Sequence, residues 1–252
     1  MPLQANKNRA QICKGSGEAT FIIEQIKEAL MDIKNNISKI RTSLPAGVKL
    51  VAVSKFHSAE AVKEAYDVGQ RIFGESRVQE LVAKQPMLPD DIEWHFIGTL
   101  QTNKVKYIAP FISTIQSVDS LKLMQEIDRQ AEKSGREIRI FIEVHIAEEE
   151  SKHGFSPDEC KALFTDGVVS QFPYIRICGL MGMATFTDNT EQVRCEFAKL
   201  HGLFNEIKSM PTTDDSIFAE LSMGMSDDCK TAIEEGSTMV RIGSAIFGAR
   251  EY

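Results

Sequence analysis

VKLVAVS (48–54), followed past Lys55 by a helical pattern from Ser58 to Val68, decides the fold, because this pairing of a short apolar run with a helix recurs down the chain. RIFG (71–74) precedes a helical stretch from Ser76 to Lys84, and WHFIG (94–98) precedes a short helix, Thr102–Ile108. ISTIQSV (112–118) leads to Ser120–Lys133, and IRIFIEVHI (138–146) leads through an irregular loop to Pro157–Val169. YIRICGLMGM (174–183) leads to Glu191–Lys208, which Asp188-Asn189-Thr190 caps, and IFAELSMG (217–224) leads to Asp227–Glu235. TMVRIG (238–243) precedes a final turn. VKLVAV and IRIFIEV are near-continuously apolar, as strands buried on both faces must be. Strands alternating with helices give a parallel sheet, and eight such units in 252 residues fit a single (β/α)₈ TIM barrel. A doubly wound sheet would want a glycine fingerprint after its first strand, where this chain has SKFHS.

Outside that repeat, residues 1–17 read as a loose leader, and isoleucines and leucine at 22, 26, 30, 33, 37 and 40 predict an additional N-terminal helix from about Glu18 to Ser43. The barrel unit is therefore taken as 18–252, with no linker dividing it. A net charge of −7 argues against broad binding to nucleic acid or to an anionic membrane. The five cysteines stand singly and the first residues hold no apolar signal core, so reduced thiols in a cytoplasmic monomer are expected.

Barrels carry their chemistry at the carboxyl ends of the strands. There this sequence places Lys55, Glu75-Ser76-Arg77, His95, Ser117, Glu143, His145, Met181-Gly182-Met183, Ser222-Met223-Gly224-Met225-Ser226, Arg241 and Gly243-Ser244. A lysine in a barrel mouth is either solvated or, once desolvated, a free amine able to attack an aldehyde carbon. The glycine and serine turns SMGMS and RIGSA either only turn the chain or offer amides and hydroxyls to a phosphate, the site this fold favours after strands seven and eight. Arg241, two residues before Gly243 and so on the same face, either donates to a ring nitrogen of a bound cofactor or pairs with Glu220 or Glu143. The MGM triplets read as packing, since no His or Cys spacing supports a metal.

Seven segments together resemble the pyridoxal 5′-phosphate (PLP) homeostasis proteins, the YggS/PROSC family, which look like the alanine racemase barrel standing alone. They are VAVSK (51–55), FGESRVQE (73–80), WHFIGTLQTNK (94–104), ESKHG (150–154), GLMGMA (179–184), LSMGMSDD (221–228) and VRIGSAIFG (240–248). The resemblance implies a Schiff base between PLP and Lys55, Arg241 facing the pyridine nitrogen, and Ser222, Ser226, Gly243 and Ser244 holding the phosphate. Ser76 replaces the family's usual asparagine near the ring hydroxyl, Phe56-His57-Ser58 replace a common TKP, and Thr99 replaces a usual histidine.

The implied function is a carrier or buffer in intracellular PLP and amino-acid homeostasis, with apo PLP-dependent enzymes as partners. Alanine racemase-like enzymes take a second base, a tyrosine, from a C-terminal β domain, whereas this sequence stops nine residues after Gly243. The arginine at the ring nitrogen also disfavours the protonated ring that drives Cα chemistry. No residue is therefore assigned a catalytic role. The alternatives are a slow PLP-dependent racemase or lyase with His145 or His95 as second base, and a cofactor-free phosphosugar aldolase using Glu143.

Overall fold

The computed structural model describes residues 33–148 and 153–248. The leader, most of the N-terminal helix before Ile33, Lys152 and Tyr252 lie outside the described residues. Eight strands follow one another: β1 (Lys49–Val53), β2 (Ile72–Glu75), β3 (Glu93–Phe96), β4 (Thr114–Val118), β5 (Ile138–Glu143), β6 (Ile175–Met181), β7 (Glu220–Ser222) and β8 (Met239–Ile242). Each pairs in parallel with the next and β8 pairs with β1, so the sheet closes into the expected barrel.

Alternation along the strands sorts the core into two layers. Leu50 and Ala52 of β1 and Val240 and Ile242 of β8 pack outward against the helices. Val51 and Met239, with Phe141, Cys178 and Met181, pack inside the lumen. Arg241 shares the parity of Met239 and therefore points inward. Gly179 sits in β6 because a Cβ there would lie 1.6 Å from the Glu220 carbonyl oxygen.

Four of the described helices begin where a short polar side chain satisfies a free amide. α1 (Ile33–Ser43) leads into the barrel, and α2 (Ala59–Asp67) is capped by Ser58. α3 (Val78–Lys84) and α4 (Val105–Ile108) are shorter than their sequence patterns, the latter entered through a 3₁₀ turn at Thr102–Lys104. Ser120 caps α5 (Leu121–Lys133), and Ser156 forms a capping box with Glu159 on α6 (Pro157–Thr165). Asn189 caps α7 (Thr190–Lys208), as the sequence suggested. α8 (Cys229–Glu234) follows β7, and the expected final turn is instead a one-turn helix, α9 (Ser244–Phe247). Among the described residues, no helix is long and apolar enough to cross a membrane.

Candidate functional site

A cavity of about 330 Å³ lies at the carboxyl ends of the strands. Lys55, Ser76, Ser226, Arg241, Gly243 and Ser244 all line it. Six of the seven residues singled out for cofactor binding thus share one space, of a size that suits a small ligand.

Lys55 enters this space from a sharp turn. β1 ends at Val53, and the His57 N–H donates to the Ser54 carbonyl at 3.1 Å. Phe56, the third residue of that turn, has φ +67°, a conformation that type II turns normally give to glycine. A side chain held there stores about 1–3 kcal/mol and persists only where its surroundings over-determine it. Here the Phe56 N–H donates to Glu80 Oε1 at 2.7 Å, and the Arg77 guanidinium lies 4.5 Å from the Phe56 ring centroid. The His57 ring stacks on Phe247 at 5.0 Å.

Arg241 forms the deep wall. Its Nη1 donates to the Ser222 carbonyl at 2.9 Å and to Ser222 Oγ at 2.6 Å, and its Nη2 donates to the Gly182 carbonyl at 3.0 Å. Among the described residues, then, its hydrogen-bond partners are neutral, and neither Glu220 nor Glu143 takes the ion-pair role open to them. Glu220 instead receives Lys49 and Arg139 at the amino end of the lumen, at 2.7 and 2.6 Å. Burial lowers the Arg241 guanidinium to about 10, opposed by Asp228 and Glu143. The group remains a cation at neutral pH, and three of its five N–H donors are used by these contacts.

Ser222 does not line the cavity. It is fully buried beneath Arg241, accepting from the guanidinium and donating from Oγ to Gln116 Oε1 at 2.7 Å. The reason is its place as the last inward residue of β7, one layer below the loop. Gln116 Nε2 then lies 2.7 Å from His95 Nδ1. Arg241, Ser222, Gln116 and His95 form a single hydrogen-bonded row from the cavity into the lumen.

The rim is built by glycine turns. Gly224, at φ +93°, sits where a Cβ would press on Ala232, and this brings Ser226 within 3.3 Å of Ser244, Oγ to Oγ. A Cβ on Gly243 would lie 3.1 Å from the Val53 carbonyl, so its backbone nests against β1. Gly98 lets the Ser76 loop approach within what would be 2.5 Å of a Cβ, and its carbonyl accepts from Ser117 Oγ.

The acid–base candidates fare differently. His95 is buried in the lumen and held down to about 3, by burial first and then by Arg139 and Lys49. His145 Nε2 lies 2.8 Å from the Ala147 carbonyl, and neither histidine lines the cavity. Glu143, pushed up to about 7 by burial and by Asp119, lies outside the lining too. The histidine that does line the space is His57, which the sequence reading passed over as part of SKFHS. Met181 and Met223 are packed in the core as expected, but Met183 and Met225 line the cavity.

An amine at one wall, a buried guanidinium at the base and a rim of hydroxyls and glycine amides suit a phosphorylated carbonyl compound. The alanine racemase N-terminal domain family matches residues 29–251. A pyridoxal phosphate homeostasis protein of Aquifex aeolicus is 42% identical over 205 residues, 81% of this chain and 88% of that one. This chain belongs to the pyridoxal phosphate homeostasis family. PipY of Synechococcus elongatus, whose structure without PLP covers 86% of this chain and 100% of its own at 37% identity, superposes with a TM-score of 0.80. The structure of PipY with PLP bound gives 0.77. Alanine racemase of Clostridium difficile, 14% identical over 88% of this chain and 56% of its own, has a TM-score of 0.67 and so shares the family's fold.

Proposed function

We propose that this protein binds PLP in the Lys55 cavity and serves as a carrier or buffer of the cofactor. The observation that carries the reading is one cavity that gathers the Lys55 amine, the Arg241 guanidinium and the Ser226–Ser244 hydroxyl pair. These groups fit the cofactor in kind: an amine for its aldehyde, donors for its phosphate, and a cation with unused donors for its ring nitrogen. PLP, when bound, supplies an electrophilic aldehyde carbon and a ring that takes up electron density. Lys55 would hold it as a Schiff base formed with loss of water, and Ser226, Gly243 and Ser244 would hold the phosphate. Ser76, in the same lining, would meet the ring's edge.

Arg241 keeps its own proton and would donate a hydrogen bond to the ring nitrogen of the cofactor, an arrangement that disfavours protonation there. Ser222 and the Gly182 carbonyl, both neutral, hold the guanidinium, and Gln116 and His95 back Ser222. This arrangement favours holding the cofactor over rapid chemistry on an amino acid. Cytoplasmic action is supported by four described cysteines that are all free. On this reading the protein acts as a monomer.

The partners on this reading are apo forms of PLP-dependent enzymes. Protein loaded with PLP is expected to restore such an apo-enzyme faster than the same concentration of free PLP. Equal or slower recovery contradicts the carrier role.

A further inference from the structure

The turn that presents Lys55 rests on a group of buried charges behind the cavity. Lys84, the last residue of α3, has a side chain only 8% exposed. Its Nζ donates to Glu75 Oε1 at 2.8 Å and to the Ser54 carbonyl at 2.9 Å. Ser54 Oγ donates to the same Glu75 oxygen at 2.7 Å. Glu80, one helical turn before Lys84, lies 3.5 Å from Nζ and is the acceptor for the Phe56 N–H. Both neighbours of Lys55 are therefore tied to a single ammonium, Ser54 directly and Phe56 through Glu80.

Lys84, Glu75 and Glu80 do not line the cavity. A buried ion group is a poor means of general stabilisation, because desolvation offsets most of the attraction. Its position is better explained by what it grips. Phe56 is the described non-glycine residue with a positive φ, and it is itself one of the two tied points, directly after Lys55.

We propose that Lys84 is the positioning residue of this site: through Ser54, Glu75 and Glu80 it holds the Ser54–His57 turn in the conformation that sends the Lys55 amine into the cavity. The inference rests on the reading of Lys55 as the attachment point for PLP. It assigns α3 a task that its sequence, VQELVAK, does not announce.

The test compares wild type with Lys84→Met, Lys84→Arg and the charge-balanced double variant Lys84→Met/Glu75→Gln. Three quantities are measured: the Tm, hydrogen exchange of segment 54–57 without added ligand, and the rate at which PLP and borohydride label Lys55, located by peptide mass. In the double variant, with a Tm near that of wild type, exchange is expected to rise and labelling to slow about tenfold, in keeping with the loss of a hydrogen bond to a charged group. Lys84→Arg recovers part of both. Glu80→Ala, which removes the Phe56 tie and the Glu80–Lys84 contact but leaves Lys84 on Ser54 and Glu75, loosens the same segment. Wild-type exchange and labelling in the double variant, or an unloosened segment in Glu80→Ala, overturns the inference. Wild-type protein labelled elsewhere than at Lys55 strikes the attachment reading itself and removes the basis of the proposal.

Discussion

Arg241→Leu is expected to weaken PLP binding about 10- to 100-fold, the loss of one hydrogen bond to a charged group. The guanidinium is the one cation at the base of the described cavity, and its described hydrogen-bond partners are all neutral. On the proposed reading, removing it takes away the donor for the ring nitrogen and a positive charge that attracts a phosphorylated ligand. Ser222 and Gly182 also lose a partner, so some stability is lost, but Val51, Met181 and Met239 already pack in the lumen and can accommodate leucine, so the protein should fold. Titration followed by the cofactor's fluorescence measures the change. An affinity within twofold of wild type would mean that Arg241 does not face the ligand.

A larger effect on stability is expected from Gly179→Ala. Its backbone pairs with Phe141 on one side and Glu220 on the other. A single methyl group there overlaps the Glu220 carbonyl and cannot be relieved by a rotamer change. Either β6 and β7 separate or the strand shifts, and both disturb Glu220, where Lys49 and Arg139 converge. A destabilisation of about 4 kcal/mol or more follows, and at about 2–4 °C per kcal/mol for a domain of this size the Tm should fall by about 10 °C or more. Thermal unfolding followed by circular dichroism reads this directly. A Tm within about 3 °C of wild type would show that the barrel wall yields far more easily than its packing suggests.

Both residues also show how much the sequence disclosed. Arg241 was legible because strand parity with Gly243 put it on the inner face, and the barrel was legible because its strands are nearly continuous apolar runs between polar helices. Ser222 shares that parity yet sits a layer lower, since depth in a lumen depends on the stagger between strands, which spacing along one strand does not record. Gly179 read as an ordinary part of YIRICGLMGM, although a glycine inside a strand is a sign of close backbone approach. The helix ends were blurred where α4 begins as a 3₁₀ turn and where α3 starts two residues past Ser76.

His57 and the Lys84 group were missed for a different reason. His57 lines the cavity only because the chain reverses at Phe56, a conformation that nothing in SKFHS demands. Lys84, Glu75 and Ser54 come from three separate elements and meet only once the barrel has closed. The four-residue step from Glu80 to Lys84 was the available signal, but it reads first as an ordinary exposed helix pair.

The central claim is that PLP is held covalently on Lys55. The visible absorption spectrum of the purified protein, taken with added PLP before and after borohydride and beside Lys55→Ala, tests it most directly. A yellow band that borohydride removes, leaving PLP fixed to the wild-type chain and absent from Lys55→Ala, is the predicted result. A wild-type protein that stays colourless with PLP, or a Lys55→Ala protein that is labelled equally well, would contradict the account.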